Sequence, residues 1–382
     1  MPDPIYLDYN ATTPVDARVA AAIEPWLREH FGNPSSGHVF GRRAREAVER
    51  AREQVAALIG ARPDEIVFTA SGSESNNMVI QGCARGARPD RVHLVCSAIE
   101  HPAVLEPCLA MEEEGHRLSV VKVDGRGRVA PEAVEAALTE DTRLVSVMHA
   151  NNEVGTIQPI AAIARLAHAR GALCHTDAAQ SLGKIPVDVG ALEVDLLTIA
   201  GHKLYAPKGI GALYIRRGVE LARLIHGAGH EAGRRAGTES VPLIVGLGEA
   251  CRLAAGHLDA GEARRLETLR ERLWQGLRPA GDLLRHGAAE QSLPNTLSVG
   301  FRGIEADRLL EAIAPAVAAS AGAACHAAGV SVSWVLHAMG VDAEWARGTL
   351  RLTVGRPTTE DEVDRAAEAI VAAVRRLRGS RF

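Results

Sequence analysis

The feature that most limits the fold of this chain is an alternation of short apolar runs and helix-length segments that begins at Glu65. Seven apolar runs predict strands at 66–69, 93–97, 118–123, 144–149, 172–175, 196–200 and 212–215. Helical patterns at 73–86, 102–115, 131–138 and 160–170 lie between most of them. Because parallel strands need long, usually helical, connections, this order predicts an α/β fold with a mostly parallel seven-stranded sheet of buried strands.

The chain has 382 residues, which suggests two domains. A helical stretch from 241 to 277, interrupted near Gly256, is expected to connect them. Beyond it, predicted strands at 297–301 and 349–355 and predicted helices at 305–313, 333–339 and 359–377 indicate a smaller α+β unit. We therefore expect a large α/β domain at 15–255, with helices at 16–30 and 41–59, and a small α+β domain formed by 1–14 and 256–382.

Composition narrows the possible functions. The net charge is −4 with 24% charged residues and no basic block, so neither nucleic acid nor a membrane surface is an expected partner. The N-terminus lacks the features of a signal peptide, and no apolar run is expected to span a bilayer, which favours a cytoplasmic protein. The six cysteines form no CxxC motif, so no metal site is expected.

An acid and a lysine follow two of the predicted strands. Asp177 and Gln180 come after the run at 172–175, and His202 and Lys203 come after the run at 196–200. In open α/β sheets, ligands bind beyond the carboxyl ends of the strands. An acid that keeps a pyridine nitrogen protonated and a lysine that bonds an aldehyde suit pyridoxal 5'-phosphate (PLP). The alternative is that both residues are ordinary surface groups.

Further polar residues are predicted at the same edge of the sheet. Gly72 and Ser73 open a helix, where backbone N–H groups favour an anion such as a phosphate. Alternatively, Ser73 only caps this helix. His101 and Asn152 also follow predicted strands, so several strand ends would converge on one crevice.

Three other segments allow two interpretations each. The glycine-rich loop 226–240, which contains Thr238, either binds an anion or is a flexible surface loop. Cys325 lies in the small-residue stretch SAGAACHAAG, which suits either an accessible nucleophilic thiol or a buried cysteine. Arg351, on a predicted strand, either holds a substrate carboxylate or is an ordinary surface or ion-paired arginine.

Taken together, the motifs resemble one enzyme family. The chain is similar over nearly its full length to the cysteine desulfurases of the NifS/IscS type, PLP enzymes of the class V aminotransferase fold. The matching segments are YLDYNATTP, FGNPSS, EIVFTASGSESNN, EHPAVLE, HANNEVGTIQP, HTDAAQSLGK, GHKLYAPKGIGALY, RRAGTES, GAACH and LRLTVGR. The resemblance implies the aspartate aminotransferase-like fold of PLP-dependent transferases, in a homodimer.

The resemblance also implies a cofactor site. Lys203 would bind PLP covalently, and Asp177 would pair with its ring nitrogen. Gln180 would bond the phenolic oxygen, and His101 would stack on the ring. The phosphate would be held by Gly72, Ser73 and His202, with Thr238 reaching across from the other subunit of the homodimer.

The implied reaction converts L-cysteine to L-alanine. Asn152 and Arg351 would orient the substrate, Arg351 through its carboxylate. Lys203 would remove the Cα proton, and Cys325 would be the nucleophile that receives the sulfur as a persulfide. The sequence does not identify the acceptor to which this sulfur passes.

The chain departs from the family pattern in several places. Ala200 stands where many desulfurases have serine, and GAACH replaces the common Gly-Ser-Ala-Cys, as in the similar selenocysteine lyases. Val332 replaces a usual proline, and the chain ends at Phe382, so an extension that contacts an iron–sulfur scaffold is not expected. A selenocysteine lyase is the nearest alternative, followed by a plain PLP aminotransferase and by a non-enzymatic protein on the same scaffold.

Overall fold

The computed structural model describes residues 3–86, 91–321 and 333–379. Cys325, the predicted nucleophile, lies outside these residues. Within them, the strands are β1 (Ile5–Tyr6), β2 (Ile66–Thr69), β3 (His93–Ser97), β4 (Arg117–Val121), β5 (Thr142–Ser146), β6 (Leu173–Asp177), β7 (Leu196–Ala200), β8 (Gly211–Ile215), β9 (Leu283–Arg285), β10 (Thr296–Phe301), β11 (Val317–Ala318) and β12 (Thr349–Thr353).

Helices connect most of these strands. In the described part of the chain they are α1 (Ala17–Arg28), α2 (Val39–Leu58), α3 (Gly72–Arg85), α4 (Pro102–Glu113), α5 (Pro131–Ala137), α6 (Ile160–Ala169), α7 (Val189–Leu192), α8 (Val241–Asp259), α9 (Glu262–Leu277), α10 (Ala306–Ile313), α11 (Trp334–Ala338), α12 (Ala343–Ala346) and α13 (Glu360–Gly379).

The main sheet has seven strands in the order β2-β8-β7-β6-β5-β3-β4. The five strands from β7 to β4 are parallel, and β8 runs antiparallel to both β7 and β2. The prediction of an α/β fold with a mostly parallel seven-stranded sheet is therefore confirmed. The antiparallel β8 follows β7 through a turn region rather than a long helix, which explains its direction.

Both faces of this sheet are covered. In β3, Val95 belongs to the hydrophobic cluster that includes α2, α6 and α8. Its neighbours Leu94 and Cys96 belong to the cluster that includes α3 and α4. Because successive strand residues point to opposite faces, this alternation places helices on both sides and leaves the strand ends as the accessible edge.

Helix α8 corrects the expectation that no apolar run could span a bilayer. It has 19 residues with a mean hydropathy of 1.2, long and apolar enough by those measures. Half of its apolar window is buried, and Leu247, Ala250 and Cys251 lie in the hydrophobic cluster shared with α2. These contacts explain why α8 is apolar: it packs in the core of the protein.

A second sheet, antiparallel and in the order β12-β10-β9, follows in the C-terminal part. Phe301 and Leu352 from this sheet pack with Leu273 of α9 and Ile370 of α13. Leu7, from the N-terminal segment, is buried in the same cluster. The N-terminal segment is held there because β1 pairs in parallel with β11.

The predicted interruption near Gly256 is wrong in position. Gly256 lies within α8, and the break falls at Ala260 and Gly261, between α8 and α9. Gly261 has φ of 84°, a left-handed conformation that glycine adopts without steric cost. The sequence contains glycines at both positions, and only the second one terminates the helix.

Candidate functional site

A cavity of about 420 Å³ opens at the carboxyl ends of β6 and β7. The N-termini of α3 and α4, the N-terminal segment and β12 complete its walls. Nine predicted site residues line it: Gly72, Ser73, His101, Asn152, Asp177, Gln180, His202, Lys203 and Arg351. The convergence expected from the strand ends is therefore present as one enclosed site.

Asp177 is the final residue of β6. Asn76 on α3 donates to its Oδ2 at 2.8 Å, and the backbone N–H of Ala179 donates to its Oδ1 at 2.9 Å. These two contacts fix the direction of the carboxylate. Its remaining lone pairs can accept a hydrogen bond from a cationic N–H group in the cavity.

Lys203 lies in the short turn that follows β7. Its Nζ donates to the carbonyl oxygens of Asn10 and Ala11, both at 2.6 Å. Burial lowers the pKa of Lys203 to about 8, and the nearby Arg351 adds to this shift while Asp177 opposes it. The amine therefore reaches its neutral, nucleophilic form at a lower pH than an ordinary lysine.

The N-terminus of α3 forms one end of the cavity. The cap is Ser71, whose Oγ accepts from the N–H of Glu74 at 3.1 Å, so the interpretation of Ser73 as the cap is wrong. Gly72 and Ser73 occupy the first turn, where N–H groups lack helical partners and attract anions. A Cβ on Gly72 would lie 3.2 Å from that of Ala200, so α3 packs closely against the end of β7 here.

Two histidines face the cavity in neutral form. His101 caps α4 by accepting from the N–H of Ala103 at Nδ1, 3.1 Å away, which leaves Nε2 to bear the ring proton. Withdrawal from water lowers the pKa of His101. Burial, with a contribution from Lys203, lowers the pKa of His202 to about 4.

Arg351, on β12, is buried with a guanidinium that is only partly satisfied. Its Nη2 donates to Asp8 at 2.8 Å, and its Nη1 donates to the carbonyl oxygen of Asn152 at 3.3 Å. Among the described residues, the buried Arg351 Nε, Asn152 Oδ1 and Asn76 Oδ1 have no hydrogen-bond partner. Buried polar atoms normally have partners, so these three groups are suited to meet a ligand.

Sequence reasoning missed Asn10 and Lys184. The carbonyl oxygen of Asn10 accepts from Lys203 and from Gln180, and its side chain bonds Asn152 and Lys184. Asn10 lies in the motif YLDYNATTP, but the motif alone does not indicate which side chain enters the cavity. The sequence feature that could have pointed to Lys184 is the scarcity of lysine, because few of the 43 Lys and Arg residues are lysines.

Thr238 is not brought to this cavity. It lines a separate cavity of about 160 Å³ with Thr69, Ile210 and Arg235. Within 3–86, 91–321 and 333–379, no group of His, Cys, Asp and Glu side chains is arranged to hold a metal ion.

Comparison with known proteins gives consistent matches along the chain. The chain matches the aminotransferase class-V family over residues 5–366. It is 45% identical over 380 residues to "Cysteine desulfurase IscS" of Serratia proteamaculans, covering 98% of this chain and 94% of that protein.

Solved structures agree with this match. A structure titled "NIFS-LIKE PROTEIN" has a TM-score of 0.91 and 40% identity, covering 97% of this chain and 98% of that one. A structure titled "SspA in complex with cysteine" has a TM-score of 0.81 and 37% identity, covering 91% of this chain and 98% of that one. The chain belongs to the aminotransferase class-V family.

Proposed function

We propose that this protein is a PLP-dependent cysteine desulfurase, which converts L-cysteine to L-alanine and retains the sulfur as a persulfide. The main support is one cavity in which Asp177, Lys203 and Arg351 converge, in a chain similar to cysteine desulfurases over nearly its whole length. This arrangement suits a pyridine aldehyde and an amino acid carboxylate at the same time.

The residues of the cavity fit PLP, the cofactor of this enzyme class. Lys203 would bond the aldehyde carbon, Asp177 would hold the ring nitrogen, and Gln180 would donate to the phenolic oxygen. The first turn of α3, with Ser73, would receive the phosphate. When bound, PLP supplies a protonated ring that accepts electron density from the substrate Cα.

The substrate would be held by Arg351 and Asn152. Among the described residues, Nε of Arg351 has no partner, and its planar fork supports a contact with a carboxylate. Lys203, with its lowered pKa, would then move the Cα proton. The neutral ring of His101 would lie over the cofactor ring.

The five cysteines within the described residues are unsuited to accept the sulfur, which supports Cys325 in that role. Cys83, Cys96, Cys108, Cys174 and Cys251 are all buried, and burial raises the pKa of Cys83 to about 12. A buried thiol of this kind is a poor nucleophile. In the proposed step, the Cys325 thiolate bonds the cysteine sulfur, the C–S bond breaks, and its electron pair passes to the carbon skeleton, which is protonated and leaves as alanine.

The homodimer and the cytoplasmic location are part of the same proposal. The separate position of Thr238, away from the cavity of its own chain, supports a contact with the phosphate in the other subunit. We also propose the division into a large domain at 15–255 and a small one at 1–14 and 256–382. Separate hydrophobic clusters on the two sides of the break at Gly261, and the burial of Leu7 in the second one, support it.

The test measures alanine release from L-cysteine and from L-selenocysteine by the PLP-loaded protein. We expect turnover of cysteine, and we expect Cys325→Ala to lose sulfur transfer while it retains the absorbance of bound PLP. Cys251→Ala, which does not line the cavity and is buried in α8, is the matched control and should retain activity in the folded protein. Full sulfur transfer by Cys325→Ala would contradict the proposed role of Cys325. Amino-group transfer that releases no sulfur and is unchanged in Cys325→Ala would favour an aminotransferase.

A selenocysteine lyase is the second candidate. The specific observation is Ala200, which lines the cavity beside Gly72 and provides no hydroxyl at the end proposed for the phosphate. Strong turnover of selenocysteine without any turnover of cysteine would establish this alternative and exclude the desulfurase.

A further inference from the structure

We propose that Lys184 is a positioning residue that fixes the orientation of the Gln180 amide, so that its NH₂ group faces the cofactor cavity. The inference rests on the proposed function, since it concerns how Gln180 would meet the phenolic oxygen of PLP. Lys184 itself is not among the residues that line the cavity.

The contacts of Lys184 support this role. It lies four residues after Gln180 and is 7% exposed. Its Nζ lies 2.9 Å from Gln180 Oε1 and 3.1 Å from Asn10 Oδ1. Both printed partners of the amine are amide oxygens, and none of the described residues provides it with a carboxylate. Burial lowers the pKa of Lys184, and the nearby Lys203 and Arg351 add to this shift.

A lysine amine that is hydrogen-bonded to two side-chain amides determines the orientation of both amides. An amide presents an oxygen acceptor on one side and a nitrogen donor on the other. In its protonated form Lys184 has only donors, so both contacts then require an oxygen, one from Asn10 and one from Gln180. The NH₂ of Gln180 must then point the other way.

The remaining bonds agree with that assignment. Asn10 Nδ2 donates to the carbonyl oxygen of Asn152 at 3.1 Å and to Thr296 Oγ1 at 2.9 Å. Gln180 Nε2 donates at 3.0 Å to the carbonyl oxygen of Asn10. Each of these contacts therefore pairs a donor with an acceptor.

Lys184 is needed because the other contact of the Gln180 amide is weakly exclusive. The carbonyl oxygen of Asn10 favours the NH₂ group on the cavity side, but Lys203 Nζ donates to the same oxygen, so Gln180 shares that acceptor. With Lys184 protonated, a flip would turn the amide nitrogen toward a donor and leave a buried N–H unpaired, which is costly. Without Lys184, both orientations would be accessible.

The test is a pH titration of the visible absorption of bound PLP in Lys184→Met, with Lys122→Met, an exposed lysine, as control. Donation from Gln180 favours the deprotonated phenolic oxygen, so its loss should raise the apparent pKa of the absorbing group by about 1 unit. The control should titrate like the wild type.

A double-mutant cycle separates positioning from simple loss of a buried charge. If Lys184 acts through Gln180, Lys184→Met should add no further shift in a Gln180→Leu background. An equal further shift would overturn the inference and indicate a charge effect. A Lys184→Met variant that titrates like the wild type would also overturn the inference. If Lys184→Met does not fold, Lys184→Gln, which can donate or accept, replaces it with the same expected shift.

The outcomes also separate this inference from the proposed function. A wild-type protein that develops no cofactor absorbance would overturn both. If the wild type develops the cofactor band and Lys184→Met titrates with the same apparent pKa, only the positioning role is overturned.

Discussion

Replacing Arg351 with lysine tests the proposed carboxylate contact most directly. Lysine keeps the positive charge but loses the planar fork that allows two parallel hydrogen bonds. In the structure, Nη1 and Nη2 have protein partners and the buried Nε has none among the described residues. The variant should therefore lose one charged hydrogen bond to the substrate while it retains the electrostatic attraction.

The magnitude follows from that single bond. A hydrogen bond to a charged group contributes about 1.5–3 kcal/mol, which corresponds to a fall in kcat/KM of about 10- to 150-fold. We expect most of it in KM, because the carboxylate is bound equally in the ground state and the transition state. The assay is steady-state alanine release from L-cysteine, with the exposed Arg347→Lys as control.

A second variant, Arg351→Met, separates the fork from the charge. Because Arg351 is one of the groups that lower the pKa of Lys203, its removal should move that pKa above about 8 and shift the alkaline activity profile accordingly. Arg351→Lys should leave the profile in place. An unchanged kcat/KM in Arg351→Lys would refute the contact with the carboxylate.

Three further predictions concern the site and its support. Capture of PLP by the apo-protein should accelerate as pH rises through about 8, because the neutral amine of Lys203 is the reactive form; a rate independent of pH between about 6.5 and 9.5 would contradict this. Asp177→Asn should retain the absorbance of PLP but release alanine at least about 100-fold more slowly, as measured by steady-state kinetics, because a neutral amide cannot stabilise a ring cation. Glu231→Gln should lower the free energy of unfolding by about 3 kcal/mol in urea titrations, since it removes the buried counter-charge of Arg52, now 2.8 Å away, and leaves only the exposed Glu49 at 3.3 Å.

The sequence predicted the sheet and the residues at its strand ends because both depend on local patterns. The apolar runs gave the seven strands, with end shifts such as 144–149 against the observed β5, Thr142–Ser146. Asp177 and Lys203 directly follow or end their strands, so the parallel order alone brings them together. The roles assigned to them stay predictions until the variants are measured.

Other features depend on long-range packing and could not be predicted. His175, the last residue of the predicted run 172–175, lies inside β6, hydrogen-bonded to Ser146 and Thr198, and burial lowers its pKa to about 3. Nothing local distinguishes it from Asp177, two residues later. The antiparallel β8 and the network around Asn10 likewise depend on which distant segments meet.

One turn near the N-terminus links the two chemical ends of the site. The N–H of Ala11 donates to the carbonyl oxygen of Asp8, which closes a four-residue turn. Asp8 holds Arg351 from one end of this turn, and the carbonyl oxygens of Asn10 and Ala11 hold Lys203 from the other. Arg351 is positioned together with the second hydrophobic cluster, and Lys203 is positioned together with the first. The distance between them would otherwise depend on how the two clusters pack against each other. Because the turn contacts both, the separation of the proposed carboxylate site from the reactive amine is determined by four consecutive residues.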